Sequence, residues 1–380
     1  MKASLSLYKN GQMYNSEKSD FLHPSKATLV LGFGEKSILA NENIYQMLKT
    51  TYSQAAIVLC STSGEIYNDT VQDNTVSIAA IEFEKTTVKS VSVNIDDFAN
   101  SFEAGEALVK QLPADGLAYI MIISDGAKVN GSELVRGVNT VVQNKVPVTG
   151  GLAGDAARFQ STLVGLDGPA VSGKIVGIGL YGSNLKISHG SMGGWDMFGP
   201  ERSITKSTAN TVYEIDDKDA IELYKTYLGK YADELPGSAL LFPLSVTLPG
   251  SIEPVVRTIL SIDTEHKAMV FAGDVPVGAK VRFMKANFDK LVDAAAQASN
   301  IAFTMNLKET PKLALLISCV GRKLILDNRI EEEVMAVSEA FGSGTLLTGF
   351  YSYGEISPFT ANTSCQLHNQ TMTITTFDEN

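Results

Sequence analysis

Nowhere in the 380 residues do two cysteines come within metal-binding or dithiol spacing. Cys60, Cys319 and Cys365 are the only three, and they lie far apart. That spacing excludes a zinc ribbon and a thioredoxin-like C-x-x-C site, and the odd count argues against a disulfide framework. Dense basic clusters are missing too. With 31 Lys and Arg against 42 Asp and Glu, the formal net charge is −11. Such a balance speaks against a nucleic-acid backbone or an anionic membrane as partner. No uncharged apolar run approaches the length of a membrane span, and the opening MKASLSLYKNGQ lacks the apolar core of a secretory signal. A reducing cytoplasm is the expected compartment.

The short motifs that announce hydrolysis or nucleotide binding are equally scarce. H-E-x-x-H, G-x-S-x-G, the P-loop spacing and a G-x-G-x-x-G after a strand are all absent. The S-x-x-K at Ser203–Lys206 lacks the companion motifs of a penicillin-recognising enzyme. Histidine occurs four times, as His23, His189, His266 and His368.

Repetition is what the chain does have. Residues 61–66 read STSGEI and residues 351–356 read YSYGEI. Upstream, GEKSILAN (34–41) and GRKLILDN (321–328) share Gly, Lys, Ile, Leu and Asn at identical spacing. Each copy follows an apolar run, TLVLGF (28–33) or LALLISCV (313–320). A third, looser copy starts at YIMIISDGAKVNG (119–131) and ends at VPVTGGLAGD (146–155). Every copy reads as strand, turn with a lysine, helix, strand, glycine-rich turn.

Short continuous Val/Ile/Leu runs alternating with helical periodicity indicate α/β units with buried strands. The second half adds an alternating segment, residues 255–284, that reads as an antiparallel meander. The expected fold is α/β, α+β in part: duplicated strand–helix–strand units form two mixed sheets in two associated domains, with the meander in the C-terminal half. The expected boundaries are a lead segment at 1–24, an N-terminal domain at 25–215 and a C-terminal domain at 216–378.

Several residues fall at expected strand ends or turns, where α/β proteins bind ligands. Cys60, Glu65, Gly151, Arg322, Tyr351, Glu355 and Asn369 form the candidate ligand site. Arg322 suits a carboxylate, because its guanidinium is a planar fork of donors. Glu65 and Glu355 are matched acids that either bind an amine or cap backbone N–H groups. Gly34 and Gly321 are expected to supply permissive turns beside solvated lysines. His189, in the glycine-rich SHGSMGGW, and His368, in LHNQT, are the histidines placed to reach a ligand or metal.

Taken in order, CSTSGEI (60–66), GGLAGD (150–155), the segment 188–216, DVPVGAKV (274–281), ISCVGR (317–322), GFYSYGEISP (349–358) and LHNQT (367–371) resemble the FIST family. FIST is a sensory domain named for F-box and intracellular signal transduction proteins. The resemblance runs from about Ala27 to Phe377, and no segment resembles an attached kinase, cyclase, methyl-accepting or F-box domain. Members often carry an aromatic directly after the His-Gly pair; here Ser191 follows and Trp195 comes later.

The resemblance implies sensing: a small ligand, with amino acids proposed, and a signal passed to a partner. Some free-standing members bind haem, sense nitric oxide and regulate a separate histidine kinase. For this chain that reading implies non-covalent haem, with His189 or His368 as axial ligand. An amino-acid-like metabolite is the other ligand reading, and a homodimer stays open. A cysteine-dependent hydrolase or transferase is the alternative function class.

Overall fold

In the computed structural model, residues 1–380 are described except 42, 236, 307–309 and 361–362. The repeats of the sequence become three units arranged in a ring. Each unit has a lead strand, a first strand, a parallel second strand, a short exchanged strand and a return strand.

In unit 1 these are Lys2–Lys9, Leu29–Gly34, Ala56–Ser61, Glu65–Tyr67 and Val76–Glu82. In unit 2 they are Thr87–Asn94, Leu117–Ser124, Val148–Leu152, Val164–Leu166 and Lys174–Tyr181. In unit 3 they are Leu185–Met192, Leu313–Cys319, Leu346–Ser352, Gly354–Pro358 and Met372–Glu379. The first strand pairs parallel with the second and antiparallel with the return strand in every unit.

The exchanged strands close the ring. That of unit 1 pairs with the second strand of unit 3, that of unit 3 with unit 2, and that of unit 2 with unit 1. No unit completes its own sheet. The mixed α/β character expected from the sequence holds, but the ring uses three sheets, and a fourth, antiparallel sheet adds the meander.

The inward faces of the three sheets share one core. Leu31, Phe33, Met121, Ile123, Val176, Leu315, Ile317 and Phe350 all lie in it, and Phe33 stacks on Phe350 with centroids 4.9 Å apart. Polar side chains inside are paired across sheets, as burial requires. Tyr119 Oη lies 2.5 Å from Thr149 Oγ1, which lies 2.7 Å from Thr375 Oγ1 of the next unit.

Outward faces are covered by helices. The helix Gly131–Val142 buries Leu134, Val135, Val138 and Val142, a three-and-four spacing that makes one apolar stripe. Asn130 starts it by accepting from the Ser132 and Glu133 amides, a cap worth about 1 kcal/mol. Gly150 and Gly349 admit no side chain: a Cβ at either would fall 1.8 Å from the carbonyl oxygen of Ile122 or Leu316 on the neighbouring strand. Both sit at positive φ, at the same place in units 2 and 3.

The antiparallel sheet is inserted into unit 3, between its lead and first strands. Its strands run from Asp196–Thr208 to Lys280–Lys285, around a core of its own that contains Tyr224, Val246, Met269, Phe271 and Phe283. Asp219 caps its helix Ala220–Leu228 through the Ile221 and Glu222 amides. The buried Arg257 fastens the insert to the ring: its guanidinium donates to the carbonyls of Asp274 and Leu367, while Asp274 accepts from Asn130 and its amide donates to Ser132. Among the described residues, no helix is long and apolar enough to cross a membrane.

Candidate functional site

The glycine-rich turns that follow the three second strands meet at one end of the ring. Ser61 Oγ donates to the Gly154 carbonyl at 2.7 Å, the Ser63 amide to the Tyr351 carbonyl at 2.8 Å, and the Tyr353 amide to the Leu152 carbonyl at 3.1 Å. The duplicated turns are therefore neighbours in space, although nearly 290 residues separate them in the chain.

Their acids face inward. Glu65 is 1% exposed and Glu355 is fully buried. Glu65 accepts from Thr62 Oγ1, the Thr75 amide and Thr75 Oγ1; Glu355 accepts from Ser352 Oγ, the Thr371 amide and Thr371 Oγ1. Burial raises both carboxyl pKa values, to about 8 for Glu65 and about 7 for Glu355, with the hydrogen bonds acting in the opposite direction. Each carboxyl knits its turn to the start of its own return strand. Unit 2 differs: register puts its Val164 opposite Cys60, where Glu65 of unit 1 faces Phe350 and Glu355 of unit 3 faces Gly151.

Arg322 is also internal. Its Nε and Nη2 donate to Glu333 at 2.9 and 2.7 Å, and its remaining contacts are the carbonyls of Gly193 and Leu291. Glu333 completes the group by accepting from Ser318 Oγ and Tyr351 Oη. The pair ties two helices to the first and second strands of unit 3, so the fork that suited a ligand carboxylate is occupied by the chain. Tyr351 belongs to the same cluster. Gly151 packs against the ring core, where a Cβ would lie 2.8 Å from Ile317 Cγ2. Lys323 is not solvated as expected: its ammonium donates to the Ser63 carbonyl at 3.0 Å and lies over the Tyr351 ring.

Cys60 is enclosed in the ring core, and burial together with nearby Asp125 pushes its thiol pKa well above the ordinary value. Cys319 and Cys365 are buried with thiols shifted upward for the same first reason. None of these environments favours a thiolate.

Haem needs an imidazole nitrogen presented to an apolar slot. His368 Nε2 instead donates to the Ser357 carbonyl at 2.9 Å, and its ring packs edge-on against Phe359. His189 is 3% exposed, with Nδ1 lacking a partner, on the inner face of its strand beside Thr375. Neither histidine lines the cleft described next, and burial lowers both pKa values to about 4. The residues around these two imidazoles do not fit haem.

A cleft of about 390 Å³ opens where the insert leans over the ring mouth. One wall is the loop 126–131 leading into the helix Gly131–Val142, the other is Asn210, Leu260, Phe271, Ala272 and Gly273 of the insert. Across its opening Phe159 and Tyr353 stack with centroids 4.7 Å apart and planes 19° from parallel. Phe159 is held at φ 51°, a conformation costly for a bulky residue, and its amide donates to Tyr353 Oη at 3.0 Å. Tyr353 Oη in turn donates to Asp155. A small extension of the cleft runs inward to Thr258, Cys319, Val320, Gly321 and Asn369.

Of the candidate ligand-site residues singled out in the sequence, Asn369 lines the inner extension, whereas Cys60, Glu65, Gly151, Arg322, Tyr351 and Glu355 line neither it nor the main cleft. Phe159, Tyr353 and Thr258 escaped notice. Tyr353 stands directly before the Gly of the second GEI turn, so the repeat itself marked the position. Phe159 carried no such signal.

The FIST N domain model matches residues 28–218, and the FIST C domain model matches residues 220–358. No curated protein matches the chain. Among solved structures it is similar to the crystal structure of a cyanuric acid hydrolase from A. caulinodans, at 8% identity over 100% of this chain and 99% of that one. The TM-score is 0.38, a likeness too distant to bear on chemistry.

Proposed function

The chain belongs to the FIST family, and from that premise we propose that it is a sensory protein whose small-ligand site is the cleft between the ring mouth and the insert. FIST domains are sensory domains of signal transduction that bind small ligands. The observation that carries the placement is the stacked Phe159–Tyr353 pair, held over the cleft by a strained backbone. Strain of this kind collects at functional sites, because a position free of function would relax it. Cleft size, mixed lining and position at a domain junction agree with a small-molecule site.

The ligand is a small polar metabolite of amino-acid size or somewhat larger. Haem and nitric oxide sensing are the weaker reading, given the two enclosed histidines. The output runs through a separate partner, for which a histidine kinase is the resemblance's suggestion. Occupancy reaches the surface by moving the insert against the ring, since both bodies wall the cleft. Cytoplasmic residence is supported by three free cysteines.

Hydrogen–deuterium exchange on the full chain, with and without a pool of free amino acids and their amides, tests the placement. Protection is expected in peptides covering 126–131, 153–160, 258–260 and 271–273. Protection confined to other regions contradicts it.

A further inference from the structure

Among the described residues two arginines are buried, and their surroundings differ. Arg322 has every guanidinium nitrogen engaged, with Glu333 as counter-ion. Arg257 is 2% exposed and makes no contact ion pair with a described carboxylate. Its Nε donates to the Asp274 carbonyl at 3.1 Å, and its Nη1 to the carbonyls of Val256 and Leu367 at 3.2 and 2.9 Å. Nη2 is left over: it pairs with no described residue, yet packing does not seal it from solvent as it seals Asn369 Oδ1. Burial lowers the pKa of Arg257 to about 10, with the charge of Asp274 acting in the opposite direction, so the group stays charged at neutral pH. A desolvated charge without a contact partner is costly and calls for a counter-ion.

Arg257 lines a cavity of about 350 Å³ that shares no residue with the cleft at the ring mouth. One wall is the helix Gly131–Val142, whose Ser132, Val135, Arg136 and Asn139 recur at three- and four-residue steps and so share a face. Across from it the insert contributes the apolar Leu248, Pro249 and Pro276. The Arg136 side chain is 62% exposed, and its nearest carboxylate, that of Glu133, is 3.7 Å away. Asp274 is the one acid on the lining, and its Oδ1 accepts from Asn130 Nδ2 at 3.1 Å. Two arginines against one aspartate leave the lining with one positive charge in excess.

We infer that this cavity is a second ligand site, which takes a small monocarboxylic acid: Arg257 Nη2 and the Arg136 guanidinium donate to the carboxylate, and the hydrocarbon body lies against Val135, Leu248, Pro249 and Pro276. Bonds from guanidinium to carboxylate are charge-assisted and among the stronger ones available. One excess positive charge suits a monoanion, whereas a phosphate dianion would stand uncompensated beside Asp274 and find only apolar walls for its remaining oxygens. A neutral amide of the same shape forgoes the charge. Because the helix belongs to the ring and Arg257 to the insert, the bound carboxylate bridges the two bodies. The inference is independent of the cleft at the ring mouth.

Hexanoate and hexanamide are matched probes, alike in size and differing in charge, and inorganic phosphate serves as competitor. Saturation-transfer NMR on the full-length protein, at millimolar probe, reads their binding. Hexanoate is expected to bind saturably and hexanamide about tenfold more weakly, the difference that hydrogen bonds to a charged group provide. Arg136→Glu and Arg257→Gln are each expected to weaken hexanoate about tenfold. Arg257 also fastens the insert, so Arg136→Glu, at an exposed position, decides alone if Arg257→Gln does not fold. Equal binding of the two probes, no saturable hexanoate binding, or hexanoate binding that a folded variant leaves intact overturns the site. Displacement of hexanoate by equimolar phosphate overturns the carboxylate assignment. In hydrogen–deuterium exchange, hexanoate should protect peptides covering 132–139 and 248–257. Protection of 126–131 and 153–160 instead would put the acid in the ring-mouth cleft, which sinks the second site and leaves the cleft standing.

Discussion

Glu65 and Glu355 are held by the same bonds in two different units: a threonine amide at 3.2 Å and the same threonine's hydroxyl at 2.8 Å reach one carboxylate oxygen in each. A hydroxyl three residues earlier, from Thr62 or Ser352, reaches the other oxygen. The repeat in the sequence is thus a repeat of bonding geometry, and its role is to fasten the turn after the second strand to the return strand.

Both carboxyls bind their protons more tightly in the folded chain, with pKa near 8 and 7 against an ordinary 4.5. The folded state therefore holds more protons than the unfolded state between those values, and stability falls as pH rises through the window. Their contribution is complete below about pH 4.5 and lost by about pH 8. Urea midpoints measured from pH 5 to pH 8 should decline in wild-type protein. In a Glu65→Gln, Glu355→Gln double variant the decline should flatten; an unchanged slope would remove these groups as its cause.

Arg322 and Glu333 form an ion pair with both side chains fully buried. Removing one partner leaves a desolvated charge, so Glu333→Gln should cost about 3–5 kcal/mol of unfolding free energy. A loss below about 1 kcal/mol in denaturant titration would indicate that the pair is dispensable.

Phe159 trades backbone strain for its place over the cleft. Asparagine tolerates left-handed φ far better than phenylalanine. Phe159→Asn should leave the melting temperature unchanged or raise it, while weakening ligand binding about tenfold through the lost aromatic contact. A lowered melting temperature with full binding would place the residue in the scaffold instead.

The three thiols are buried and shifted upward, Cys365 to about 12. Iodoacetamide should label the native protein at neutral pH far more slowly than the urea-unfolded chain. Rapid stoichiometric labelling of Cys319 in the native protein would revive the cysteine-enzyme reading.

Much of the ring was legible in the sequence because each unit is local: an apolar run, a helical period and a glycine turn fit within some forty residues. Strand exchange was not, since Glu65–Tyr67 pairs with Thr348–Phe350 across most of the chain and no local pattern encodes that choice. Arg322 misled for a related reason. A strand-end arginine looks free until Glu333, an ordinary glutamate in a helix three turns on, is folded against it. The cleft was the least legible part: its walls come from loops of two bodies, and the backbone strain at Phe159 exists only in three dimensions.

Thermal unfolding across a panel of amino acids, their amides and aromatic carboxamides, run in parallel on wild-type protein and Phe159→Asn, tests the central claim most directly. At least one compound should raise the wild-type melting temperature and lose that effect in the variant. Compounds that stabilise both proteins equally, or a panel that stabilises neither, would contradict a ligand-sensing cleft at the ring mouth.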